Sequence, residues 1–301
     1  MNRVSKIVFV AAASLAAMAG TAFAEEPAAG DGAGEGGEGG AAAGGEAMPA
    51  PAAGGVSADA GGEVTKANWP LAVIERPLTA AKSMIEISPI LGIGHFGSAN
   101  VDALALAGRY GVSDKLEILA AYQGISLGLL DSDTQFKGAL TAGVGYSAIK
   151  GSAGGKLDLA VKAGLAYDLK GETFKILAGP DVRYKITPKL YVGTPQNVPG
   201  LTITAKGAEV MGVSSNPIDF TIPVAVGFQA TPKLGLQLAT QLFNIGISDS
   251  ANSSIADATP IQLDGVFALS NKLDVRGIFR TEDLQNFDVA LSFFAGVNYR
   301  M

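Results

Sequence analysis

Few residues in this chain could carry reaction chemistry. The single histidine, His95, stands in Gly94-His95-Phe96 with no carboxylate beside it. A Ser–His or Asp–His hydrolytic centre needs an imidazole that a second polar group orients. His95 falls on the apolar side of its segment by alternation, which predicts a loop-capping or interfacial role, so no enzyme is expected. There is no cysteine, which excludes disulfides, thiolate chemistry and Cys-based metal sites. No ligand cluster has metal spacing, so no cofactor is expected. Gly30 to Gly45 lacks the strand, helix and lysine of a phosphate-binding loop and reads as linker.

What remains is charge placed at every second residue of apolar segments. Glu86, Arg109, Glu117, Lys137, Asp158, Lys162, Asp181, Arg183, Asp219, Asp264, Arg276, Arg280 and Glu282 form the candidate pore-lining set. The same alternation adds Lys175, Lys185, Arg300, Asp168 and Asp274, giving nine basic and nine acidic residues on one face. Such a set suits either a charged pore lining or a closed network of ion pairs.

The elements that carry these residues are strands. Residues 157 to 169 put Leu157, Leu159, Val161, Ala163, Leu165, Tyr167 and Leu169 on one face, and Asp158, Ala160, Lys162, Gly164, Ala166 and Asp168 on the other. Thirteen residues of period 2 exceed a usual soluble strand. They suit a tilted transmembrane strand with lipid outside and a polar lumen inside. Residues 174–186 and 218–229 repeat the pattern. The polar face is mostly Gly, Ala, Thr and scattered charge, and the small residues leave space within a closed barrel.

A seven-residue pattern recurs at Tyr110–Leu116, Tyr184–Leu190, Phe228–Leu234 and Phe267–Leu273: aromatic, any, apolar, Ser/Thr, Asp/Pro/Asn, Lys, Leu. Ser/Thr followed by Pro, Asp or Asn makes a tight turn, and the aromatic three residues earlier places a ring near one membrane interface. Twelve strands follow: 83–95, 101–112, 116–126, 136–149, 155–168, 173–186, 190–195, 217–229, 234–247, 259–269, 273–282 and 287–301. The seventh is interrupted by Pro195 and Pro199 and resumes toward Leu201–Thr204. Short turns follow even strands, and the long connections 196–216 and 248–258 follow odd ones. That is the outer-membrane rule of short periplasmic turns and long external loops. The predicted fold is thus all-β, a closed antiparallel transmembrane barrel over 82–301.

The leading quarter or so, residues 1–81, differs in kind. Arg3 and Lys6, the apolar run Ile7–Met18 and Ala22-Phe23-Ala24 read as a cleaved signal peptide over 1–24. Residues 25–64 are Gly, Ala and Glu with little else, too small to build a core, and predict a disordered periplasmic tail. That tail explains the charge. The chain carries 22 basic and 28 acidic residues. Two of the basic ones are in 1–24 and eight of the acidic ones in 25–64, which leaves 20 of each beyond. A neutral body without a basic face predicts no nucleic-acid partner. Residues 65–81, with Trp69, Leu71, Val73 and Ile74, read as an ordered lead-in or plug.

The final strand alternates Val289, Leu291, Phe293, Ala295, Val297, Tyr299, Met301. This resembles the C-terminal signature of Gram-negative outer-membrane β-barrels of porin or transporter type, except that Met301 replaces the usual phenylalanine. The stretch Trp69-Pro-Leu-Ala-Val-Ile-Glu-Arg-Pro-Leu78 also resembles the lead-in of porin-like transporters predicted in soil proteobacteria. The resemblance implies residence in the outer membrane among its lipids, with insertion by the barrel-assembly machinery through the last strand. It also implies passive passage of small solutes. The alternative is an anchoring barrel with a closed lumen whose tail reaches periplasmic partners.

Overall fold

A computed structural model describes residues 64–96, 99–127, 135–169, 173–196, 198–206, 209–210, 213–214, 218–247, 253–255, 260–281 and 290–301. The expected signal peptide and Gly/Ala/Glu tail lie outside these residues. So do Glu282 and the side chains of Lys137 and His95.

Sixteen strand segments are present among the described residues: β1 Ile85–Phe96, β2 Ala99–Gly111, β3 Leu116–Ser126, β4 Gln135–Gly151, β5 Leu157–Asp168, β6 Phe174–Thr187, β7 Leu190–Gly193, β8 Leu201–Lys206, β9 Glu209–Val210, β10 Val213–Ser214, β11 Ile218–Gln229, β12 Leu234–Ile247, β13 Ser253–Ile255, β14 Ile261–Ala268, β15 Leu273–Thr281 and β16 Ala290–Arg300. Fourteen of them occupy twelve places in one closed antiparallel barrel. β7 and β8 share the place between β6 and β11. β13 and β14 share the place beyond β12, and β9–β10 form a small separate hairpin. Closure comes from β1 pairing with β16, and backbone bonds of 2.9 Å in both directions tie Ile85 to Met301. Closure is physically required, because an unpaired edge in hydrocarbon would cost several kcal/mol for each bare N–H or C=O.

The wall sorts its residues by face. Leu91, Ile93, Leu106, Val144, Val161, Leu165, Leu238, Leu263 and Phe293 are all exposed on the outside. Their strand neighbours of opposite parity are buried or half-buried. A lipid-facing belt of this kind is what the alternating pattern encodes.

The repeated turn has a direct cause in hydrogen bonding. The hydroxyl oxygens of Ser113, Thr187 and Thr231 each accept the backbone N–H groups two and three residues later, at 3.0–3.3 Å. Ser270 accepts that of Lys272 at 3.2 Å. The side chain thus satisfies donors that the tight reversal leaves unpaired. The turn after β4 lacks this motif and solves the reversal with positive φ at Gly151, Ala153, Gly154 and Gly155. Even so, its strand carries an outward aromatic. Tyr110, Tyr146, Tyr184, Phe228, Phe267 and Tyr299 are all exposed at the turn end of the barrel, one on each even-numbered place. The motif locates four of these six rings.

The interruption expected at the seventh place is present: the wall opens between Gly193, where β7 ends, and Leu201, where β8 begins. The flanking strands carry Pro180 and Pro223 opposite this opening. Proline cannot donate to a ladder, so it is tolerated where a neighbour's ladder is already broken.

Candidate functional site

The lumen is the candidate site, and it is built in two layers. Strands β15, β16, β1, β2, β3, β5 and β6 each contribute one charged side chain to an inward belt near the turn end. Inter-strand register sets them in a row of alternating sign. Asp274 pairs with Arg300, and Arg300 with Glu86. Glu86 pairs with Arg109 at 2.8 Å, and Arg109 with Glu117 at 3.8 Å. Glu117 pairs with Lys162 at 3.2 Å, and Lys162 with Asp181 at 2.8 Å. The belt skips β4 because Gly145 stands there. A Cβ on Gly145 would meet a Glu117 carboxylate oxygen at 2.8 Å, so the missing side chain lets Glu117 lie across to Lys162. All of these charges are buried except Arg109, whose side chain keeps 13% of its exposure. Each has an opposite charge on at least one side, the arrangement that offsets desolvation.

Inside this belt lies the segment from Val64 to Met84. Trp69 is 2% exposed and packs with Ala80, Ala81 and Met84, with Val64 against them. The guanidinium carbons of Arg300 and Arg109 sit 5.4 and 5.7 Å from its ring centroid. Both are within range of cation–π attraction. Arg76 follows the 3₁₀ turn Val73–Glu75. It is bidentate to Asp274 at 2.7 and 2.9 Å, and it also donates to the carbonyls of Pro70 and Leu71. Burial pushes the Arg76 guanidinium below its ordinary pKa while Asp274 opposes the shift; arginine remains cationic regardless. Wall side chains hold the segment's backbone as well. Glu117 accepts Ala80 N–H at 2.7 Å, Gln229 accepts Ile74 N–H at 3.2 Å, and Arg183 donates to the carbonyls of Val73 and Arg76. Two glycines of the wall make the fit possible. A Cβ at Gly111 would lie 1.9 Å from Ala81 O, and one at Gly235 would lie 2.8 Å from Val73 Cγ2. The segment therefore fills the mouth at which the first strand begins and the last one ends.

Beyond it the lumen holds a cavity of about 210 Å³. Arg276 and Asp264 are paired at its wall. Tyr191, which accepts a bond from Gln237 Nε2 at 3.0 Å, lies across Gly227. Gln262, Asn298, Thr141 and Ser88 add uncharged hydrogen-bonding groups.

Of the candidate residues, Glu86, Arg109, Glu117, Lys162 and Asp181 thus belong to the belt. Asp158 pairs with Arg183 at 3.5 Å and with Lys185 at 3.9 Å. Arg280 is buried on the inward face. Asp219 is half-buried between outward Ile218 and Phe220. Sequence reasoning passes over Arg76, Gln229, Tyr191 and Asp102, although Asp102 is fully buried and accepts Leu127 N–H at 2.7 Å. Arg76 has a signal, as a lone cation between prolines 70 and 77 in an apolar lead-in. Among the described residues no group of acids and histidines could hold a metal ion.

No family model and no curated protein matches the chain. Solved structures do resemble it in fold at very low identity. A KdgM porin in complex with disordered oligogalacturonate is 6% identical with a TM-score of 0.45, covering 71% of this chain and 98% of that one. A NanC porin is 10% identical with a TM-score of 0.45, covering 70% and 98%. The outer-membrane protein Omp33 of Acinetobacter baumannii is 12% identical with a TM-score of 0.38, covering 73% and 99%.

Proposed function

We propose that this outer-membrane-type β-barrel is a porin-like channel for small hydrophilic solutes, stopped at its periplasmic mouth by its own residues 64–84. The observation that carries the reading is the pairing of a polar cavity with a segment bound by side chains rather than fused to the wall. A barrel that only anchors a tail has no need of amides and hydroxyls around a space. The lining charges, Arg276 and Asp264 among them, are mutually paired, so no strong field of one sign excludes either anions or cations. The reading involves no catalytic step and no cofactor.

Purified full-length protein in a planar bilayer is expected to pass small ions weakly, with little preference for sign. Trp69→Ala combined with Arg76→Ala should raise the conductance, because these side chains hold the segment to the belt. Arg276→Glu with Arg280→Glu should move permeation toward cations. No conductance in any of the three proteins would reject the channel. It would favour an anchoring barrel, the reading that the continuous row of ion pairs from Asp274 to Asp181 supports.

A further inference from the structure

The opening in the wall at the seventh place has a measurable geometry. Gly193 pairs with Arg183 and Ala225 on its two sides, and Leu201 pairs with Ala178 and Phe220. Four residues on each neighbour, 179–182 and 221–224, separate these rows, but seven residues, 194–200, join the two segments. Three residues are surplus to the wall. They are not shed outward into lipid, where their backbone groups would be bare. Thr194, Pro195, Gln196, Val198 and Pro199 all line the cavity.

The connection is built into place at both ends. Thr194 N–H donates to Val182 O and Gly200 N–H to Ala178 O, each at 2.9 Å, and Gly200 O accepts Thr221 N–H at 2.8 Å. Thr194 Oγ1 accepts Val182 N–H at 2.8 Å. Pro195, Pro199 and Gly200 are buried. The connection lies directly on the inward surface of β6 at Gly179. A Cβ there would stand 2.6 Å from Gly200 N, 3.1 Å from Pro199 Cα and 3.2 Å from Val198 O. Pro195 before this contact and Pro199 within it restrict the backbone, so the connection is a stiff ledge and not a slack loop.

We infer that the wall break, through Thr194–Gln196 and Val198–Gly200, is the size-selecting constriction of this barrel, and that Gly179 sets how far it reaches into the lumen. The inference rests on the channel reading and deepens it. The ledge stands between the β7 level, where Tyr191 and Gln237 meet above the plug, and the external half formed by β8. A solute from outside must pass it to reach the cavity floor. The constriction acts on molecular width, because its cavity-facing residues carry no charge.

The test uses the absence of cysteine in the full-length protein, and it reads access rather than current. With Gln237→Cys supplying the only thiol, a small methanethiosulfonate and a maleimide on a polyethylene glycol chain are added from outside to intact barrels. Replacing residues 194–200 by four strand-forming residues should raise the rate for the bulky reagent on the order of tenfold and leave the small reagent nearly unchanged. Gly179→Ala, with the connection intact, should slow the bulky reagent severalfold, since backbone must move inward to accept the new Cβ. That second variant decides the matter if the shortened wall does not assemble. Equal bulky-reagent rates in all forms, with the small reagent reaching the introduced thiol freely, would overturn the constriction and leave the channel reading standing. Failure of both reagents in every form would overturn both.

Discussion

The outer and inner faces of the same strands follow opposite rules. Outside, each residue is chosen one at a time: an apolar side chain meets lipid, and the neighbouring strand need not know which one it is. Inside, each residue is chosen by its partners on other strands. Glu117 means little without Arg109 on β2, Gly145 on β4 and Lys162 on β5. The outer face is thus an additive property of local sequence, while the inner face is a property of register.

The largest test of this contrast is at the belt's junction with the plug. Asp274→Ala leaves Arg76 and Arg300 buried without their shared carboxylate and is expected to cost about 3–5 kcal/mol. Denaturant titration in detergent measures it. The double variant Asp274→Ala with Arg76→Ala should recover part of the loss, and strict additivity would show that the two do not act as a pair.

Next in size is a pair of neighbours on β14. Leu263 faces lipid and Gln262 lines the cavity. Leu263→Arg is expected to cost about 2–4 kcal/mol near the membrane midplane. Gln262→Arg is expected to stay within roughly 0.5 kcal/mol, as a change at a roomy polar position. Heat-modifiability on gels reports both, and equal defects would mean that the two faces are misassigned.

The smallest effect is in the turns. Thr231→Ala removes the hydroxyl that accepts Lys233 and Leu234 N–H and should cost about 1 kcal/mol, while Thr231→Ser should retain most of the stability. An unchanged midpoint in the alanine variant would show that the turn is set by Pro232 alone.

These scales also explain which features are legible along the chain. The twelve places, the sorting of faces and the turn motif are legible because each depends on residues within one hairpin. Leu157 to Leu169 alternates on its own, and Ser113 reaches only to Leu116. Tyr146 escapes the motif because the turn after it uses glycines where the others use a hydroxyl. The belt is half legible. Balanced charge on one face can be counted, yet its ordering by sign cannot, since neighbours in the belt are up to 214 residues apart, as Arg300 and Glu86 are.

By itself the sequence determined the wall: period 2 in long segments forces strands, and lipid outside forces them to close. Only the tertiary structure decided what fills that wall. The same Trp69 and Arg76 could lie anywhere the chain reaches. They are placed by Arg109, Arg300 and Asp274, which three different strands bring to one height. Pro195 and Pro199 read along the chain only as an interruption of the seventh strand. They become a ledge on the inward surface of β6 because Gly179 leaves room for it and the closed wall leaves the surplus residues nowhere else to go.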